Sequence, residues 1–515
     1  MTIEFAQASQ VNSAYTATAG TAPTTGWQQQ LVNPGGTQNF HPEFVEVVAN
    51  PQDPSMVKQL GTQVGENANP SLVLDWSKLV AYSFAHGLLR STPKYPWGQA
   101  PLRPTAFGTG SITVSGAATL PANTIIRVTG SANGNDGIYT LESGSNSTTL
   151  NVPASSFTAE TVSPTGSVLV EIVGFQFTSG DLDIDASGDL TTSAQDVTVF
   201  ALVPGHRVYF RVSDDNGSFP DASLDEGLHY ATIESDPSTN LLPLKHRTFP
   251  IAAVDGTGRT VRLYFGGCIR NVPFGHADFI REPAYWLEVT DPSVGAAGAS
   301  TYTDAESAVV TGLNLPIATE TKLEATLNFM ARKISEYKES ASRSSGAANA
   351  FRPLQTALYH TQCAQMLVFR IVNNTDDSEL IGEGGEVESG TFSIAHNPTA
   401  IKGVGGCGTS SIVLGDIDPM LSGMNIHFDD ADKARAIRSQ TICRAEMLMN
   451  NGDGAIAIDM PTGRLTGGAK DYPENSPVMI NMNFVPHGDP IHGNIVCAIN
   501  ILGYLPTVDP SASET

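Results

Sequence analysis

One sheet-forming stretch occurs twice in this chain, and that doubling restricts it to folds built from two equivalent β units. Phe44-Val45-Glu46-Val47-Val48-Ala49-Asn50 runs on to Gly65-Glu66-Asn67 and then to Leu72-Val73-Leu74-Asp75-Trp76. Val368-Phe369-Arg370-Ile371-Val372-Asn373-Asn374 passes through Asp376-Asp377 to Gly385-Glu386-Val387-Glu388 and then to Thr391-Phe392-Ser393-Ile394. Each copy reads as strand, acidic turn and second strand, the unit of an antiparallel sheet. A chain with two copies is able to fill two equivalent places in a ring.

Composition favours many short strands: Gly (49) and Pro (32) are frequent, and only 16% of residues are charged. At 515 residues the chain is long enough for several cores. No apolar run reaches the roughly 18 residues of a membrane span. The opening Met-Thr-Ile-Glu-Phe-Ala lacks the basic start and apolar stretch of a secretory leader. The expectation is synthesis in a cytoplasm without membrane insertion. Cys268, Cys363, Cys407, Cys443 and Cys497 lie far apart, which argues for small buried hydrophobes rather than a zinc ribbon or a disulfide framework.

The net charge is −24. Twelve acids between 181 and 236 face only Arg207 and Arg211, and residues 301–515 carry 25 acids against 14 bases. Such a surface repels nucleic acid and argues against sequence-specific DNA binding. Repulsion also keeps a concentrated protein soluble.

Organisation follows from punctuation. Residues 1–35, rich in Thr, Ala, Gln and Gly, read as an arm that orders on assembly. Residues 36–106 form the first part of a sheet domain. In it Ser77 caps a helix over Lys78–Leu89 that packs through Leu79, Val80, Ala81, Phe84 and Leu88. Residues 107–177 and 178–250 read as two related all-β modules, each with the order strand, Asn-Gly turn, strand, strand. The strands Thr260–Gly266 and Tyr285–Val289 place 251–300 back in the first sheet domain, and 301–515 form a second. Thr321–Ile334 fits either helical or strand periodicity, Ser340–Ala350 reads as a loop, and Asn494–Tyr504 reads as a buried strand.

Candidate chemistry is thin. Asp181-Leu182-Asp183-Ile184-Asp185 lacks the Gly and Glu of a calcium loop, with Ala186 and Thr192 in their places, and reads as a half-exposed strand. His487 and His492 sit in a Pro/Gly turn that does not align metal ligands. Gly382-Glu383-Gly384-Gly385-Glu386 has no lysine for phosphate. Asp453 and Asp459 have no evident acid partner or cleft. The chain reads as a non-enzyme with no catalytic, cofactor or metal site. Tyr139, Phe157, Tyr209 and Tyr230 are the few aromatics with which the modules would serve an adhesive or carbohydrate-binding protein of a virion surface, the alternative reading.

The second half resembles the tail tube (major tail) proteins of long, non-contractile-tailed bacteriophages, of the large two-domain kind. The residues that carry the likeness are Leu323–Met330, Phe369–Asn374, Ile381–Phe392 and Ile501–Pro506, together with Leu202-Val203-Pro204-Gly205, Gly227–Ala231 and Arg262–Asn271. The resemblance covers roughly residues 40–505. It implies two β-sandwich domains with a flanking helix, joined between copies into a continuous barrel. Three chains would form a ring of pseudo-sixfold symmetry, and rings would stack into the virion's tail. Expected partners are further copies of the chain, a tape measure protein and tail tip or terminator proteins. Double-stranded DNA would pass through without specific binding, repelled by an acidic lining drawn from the 301–515 excess. Which residues line the channel is unknown from sequence. After Ile394, His396-Asn397-Pro398 departs from the helix that the resemblance implies.

Overall fold

Leu72 and Leu74 are fully buried while Val73 and Asp75 are half-exposed, and the same period-two burial recurs over Glu324–Met330 and Val387–Ala395. The computed structural model describes residues 10–506 apart from 17–19, 31, 48–61, 164–166, 179, 213–228, 250–259, 293–298, 319–320, 344–365, 383–386, 404–407, 428–430, 453, 472–477 and 489–494. The fold is mainly β, with one large sheet and several small ones.

Gln10–Thr16 (β1), Gln28–Gln30 (β2), Val32–Gln38 (β3), Glu43–Val47 (β4), Thr62–Asn67 (β5) and Ser71–Asp75 (β6) lead into helix Lys78–Leu89 (α1). Ser77 caps α1 by accepting the Val80 N–H, and Arg90 ends it in the left-handed conformation. Val80, Ala81, Phe84, Ala85, Leu88 and Leu89 bury one face of the helix in the main core.

Two modules follow. The first holds Ala106–Phe107 (β7), Ser111–Thr113 (β8), Thr124–Thr129 (β9), Gly137–Thr140 (β10), Thr149–Asn151 (β11), Glu160–Thr161 (β12) and Leu169–Phe177 (β13). The second holds Leu182–Ile184 (β14), Leu190–Thr192 (β15), Arg207–Val212 (β16), His229–Ile233 (β17), Leu241–Leu242 (β18), Leu244–Lys245 (β19) and Val261–Tyr264 (β20). The run β10-β9-β13 of the first is matched by β17-β16-β20 of the second, and the two join at β13–β20 in one sheet. The pairings β7–β8 and β8–β11 likewise recur as β14–β15 and β15–β18.

The chain then returns to the main sheet through Gly267–Arg270 (β21), Ala284–Asp291 (β22), Thr301–Ala318 (β23), Glu324–Met330 (β24) and Lys333–Lys338 (β25). Met366–Asn373 (β26), Glu379–Ile381 (β27), Val387–Ala395 (β28), Thr399–Lys402 (β29), Thr409–Val413 (β30) and Asp418–His427 (β31) precede helix Ala431–Ser439 (α2). Ile442–Asn450 (β32), Ala455–Asp471 (β33), Met479–Pro486 (β34) and Ala498–Leu502 (β35) complete it.

The main sheet is one unit used twice. The order β1, β2, β3, β4–β5, β6, α1, β22, β23, β24, β25 recurs as β26, β27, β28, β29–β30, β31, α2, β32, β33, β34, β35. The pairings recur with it. In the first repeat β1 pairs β2 and β22, β23 pairs β22, β24 and β25, and β6 pairs β3 and β24. In the second β26 pairs β27 and β32, β33 pairs β32, β34 and β35, and β31 pairs β28 and β34.

Several expectations change. Residues 10–16, read as part of an arm, lie in the sheet against β22. Strand β20, assigned to the first sheet domain, belongs to the modules because Leu263 and Phe265 sit in their core. The second repeat starts at β26 rather than near 301, since β23–β25 complete the first. The two stretches matched in the sequence are also out of register: β4–β5 corresponds to β29–β30, not to β26 and the start of β28. The ambiguous 321–334 segment is strand at β24, with Ala325, Leu327 and Phe329 buried. The second repeat does have its helix, placed after β31 rather than after Ile394.

Candidate assembly surfaces

The repeats meet at one strand joint. Seven residue pairs, Gly312↔Ala395 through Ala318↔Ser389, zip β23 to β28 and make the sheet continuous from β3 to β33. In the second repeat the equivalent stretch of β33, Leu465–Asp471, pairs only with β34, and among the described residues its other edge is open. At the far end β3 pairs only with β6. The open edge of β33 carries Gly467 and Gly468, both at positive φ, then Lys470. Backbone irregularity and a charge of this kind keep an exposed edge from pairing indiscriminately.

Hairpin β29–β30 reinforces the joint. Ile412 and Leu414 pack on Ala284, Val309 and Met330 of the first repeat. Lys402 Nζ reaches Glu66 O at 2.8 Å and Asn67 Oδ1 at 2.7 Å. Hairpin β4–β5, its counterpart, stands exposed, with Phe44 57% and Val47 56% accessible. A cleft of about 630 Å³ opens beside the joint, its lining including Arg90, Phe279, Arg281, Val413 and Asp416.

The continuous sheet buries Leu72, Leu327, Leu313, Phe392, Met424, Met482 and their row-mates on one face. Its other face is dominated by amides and hydroxyls. Asn481 Nδ2 donates to Asn425 Oδ1 at 2.9 Å, and Asn425 Nδ2 donates to Ser389 Oγ at 3.1 Å, a polar ladder across three strands. The strand register places Asp75, Glu324, Asp418 and Asp471 on this face with Arg464. Lys322 stands between Asp75 (2.7 Å) and Glu324 (2.9 Å). Among the described residues this face therefore carries few charges.

Each repeat also buries a cross-strand acid pair. Glu288 lies opposite Asp304, and Glu446 opposite Asp459, at matched positions of β22–β23 and β32–β33. Two adjacent buried carboxylates are untenable without cations. In the first repeat Arg343 Nε meets Glu288 at 2.8 Å and Lys338 Nζ meets Asp304 at 2.5 Å. In the second the cation comes from a module: Arg207 of β16 forms a bidentate pair with Asp459 and approaches Glu446 at 3.4 Å. Arg370 (2.9 Å), Arg444 (2.7 Å) and the Tyr230 hydroxyl (3.0 Å) complete the shell of Glu446. Burial works to raise the Glu446 carboxyl, but the three arginines hold it far below the usual carboxylate range. Asp459 is pushed up to about 6 by burial and by its neighbour Glu446, against the pull of Arg207.

A second clamp fixes the first module. Lys78, the first residue of α1, is badly placed for the helix dipole, and its ammonium instead meets Glu171 of β13 at 2.7 Å in a buried pair. Tyr82 donates to the same carboxylate at 3.0 Å.

The residues weighed for chemistry do not converge. Asp181 and Asp185 accept local backbone N–H groups around strand β14, in which Leu182 and Ile184 are buried. His492, Asp453 and Glu383–Glu386 lie outside the described residues, as does most of Ser340–Ala350. Cys268, Cys443 and Cys497 are buried free thiols. Tyr209, Tyr230 and Phe157 are buried and Tyr139 is half-buried. Among the described residues no group of three or more metal-ligating side chains is gathered, and no helix is long and apolar enough to cross a membrane.

No family model and no curated protein matches this chain.

Proposed function

We propose that the chain is the repeating structural subunit of a bacteriophage tail tube, in which three copies form each ring and rings stack around a channel for DNA. One observation carries the reading: a unit of ten strands and a helix occurs twice, joined by β23–β28, with the same joint left half-made at β33 and at β3. Repeating that joint between copies pairs β33 of one chain with β3 of the next. A heterologous contact of this kind generates a closed ring when the rotation per unit divides a full turn. With two units per chain, three chains give six equivalent positions.

In this arrangement the amide and hydroxyl face of the continuous sheet lines the channel, and the modules decorate the outside. A lining with few cations and no stacking aromatics among the described residues offers DNA neither phosphate anchors nor base platforms. The polymer slides because the wall prefers water. Lubrication then rests more on uncharged polar groups than on the acidic repulsion expected from composition.

Negative-stain microscopy of the purified chain tests the reading. Rings or tubes with a central hole support it, and dispersed monomers at high concentration count against it.

A further inference from the structure

The internal joint predicts the chemistry of the joint between copies. Register makes the correspondence residue by residue. In the hairpins, Ala400 pairs with Ile412 and Phe44 with Glu66, and each hairpin has its bulge one residue later, at Ile401/Lys402 and Val45/Glu46. Glu66 and Phe44 thus hold the positions of Ile412 and Ala400. On the receiving side, the row Ala284–Val309–Met330 of the first repeat is matched by Ile442–Arg464–Val485 of the second.

Inside the chain, Ile412 seats on Ala284 and Val309. At the equivalent place between copies the chemistry changes on both sides together. Ile412 becomes Glu66, and Val309 becomes Arg464. Ala400 becomes Phe44, 57% exposed, and Ala284 becomes Ile442, 45% exposed. Arg464 is exposed, with a 3.3 Å hydrogen bond to Gln440 and no carboxylate partner among the described residues. The Glu66 carboxylate accepts one long hydrogen bond, 3.4 Å, from the Ile334 amide, while its backbone carbonyl takes the Lys402 ammonium.

Resting on the ring reading, we infer that hairpin β4–β5 of one copy docks on the second repeat of the next, with Glu66 pairing Arg464 and Phe44 covering Ile442. An apolar joint within the chain forms during folding. A charged joint between copies stays soluble until two copies meet.

Charge exchange in the full-length chain tests this. Glu66→Arg and Arg464→Glu should each raise the concentration needed for assembly at least tenfold, with unchanged circular dichroism and melting. The double exchange should bring it back to within about threefold of wild type. Wild-type rings together with single variants that assemble normally, or a double variant as impaired as the singles combined, would overturn the contact while leaving the ring reading intact. A wild-type chain that never assembles overturns both.

Discussion

Arg207, on an inserted module, is ion-paired with Asp459 in the second repeat of the main sheet. Both side chains are buried, and Asn500 ties the same carboxylate to the module by donating to Asp459 Oδ2 and to Gly205 O, each at 3.1 Å. The modules are therefore clamped to the sheet by charge as well as by the apolar contact of Tyr209 and Tyr230 with Val368, Leu448 and Ala457.

Removing Arg207 should be costly. Arg207→Met leaves Glu446 and Asp459 side by side with one cation fewer, and breaking one side of a buried pair costs about 3–5 kcal/mol. Chemical denaturation should show that loss, and limited proteolysis should cut near the module boundaries faster than in wild type. Restoring neutrality with Asp459→Asn in the same chain should recover part of the stability.

Buried histidines set the acid limit. Burial pushes His86 and His396 down to about 4 and His206 to about 3. Below pH 6.5 the unfolded chain binds protons at these rings and the folded chain does not, so each ring withdraws up to about 3 kcal/mol of stability as pH falls from 6.5 to 4. Asp459 acts in the opposite sense, gaining its proton in the folded state near pH 6 and adding stability as pH falls through that value. Three rings outweigh one carboxyl. The melting temperature should fall steadily below about pH 6, and His86→Gln should flatten that slope.

Gly266 lies where the chain leaves the modules for the main sheet. A Cβ at this position would run into Ile501 O and come within 2.8 Å of Leu502 Cα. Both obstacles are backbone in a buried strand, so neither gives way cheaply. Gly266→Ala should destabilise by about 1–3 kcal/mol, read from the urea midpoint.

The proposed channel lining yields to a charge test. Asn425 sits mid-ladder between Asn481 and Ser389. Assembled Asn425→Lys tubes should retain duplex DNA at low salt and release it as salt rises, whereas wild-type tubes should retain none. Filter retention of labelled DNA measures both.

Local features were legible in the sequence. Ser77 and the apolar spacing after it give α1 its ends and its buried face because capping and periodicity act over a few residues. The doubling was legible too, but out of register, because the Phe44 and Phe369 stretches look alike although one forms a free hairpin and the other a buried pair. A better signal was present: Thr326-Leu327-Asn328-Phe329-Met330 answers Asn481-Met482-Asn483-Phe484-Val485. The acid pairs were hidden, because Glu446 meets Asp459 only through strand pairing and Arg207 arrives from 252 residues away. Charge counted along the chain carries no information on faces, since a sum over 301–515 does not say which side of a sheet a side chain takes.

Native mass measurement of the assembled full-length protein, paired with end-on images, tests the central claim most directly. Rings of three chains showing six matching lobes are the predicted result. Rings of six chains, or a chain that stays single at every concentration, would contradict the use of two equivalent units per copy.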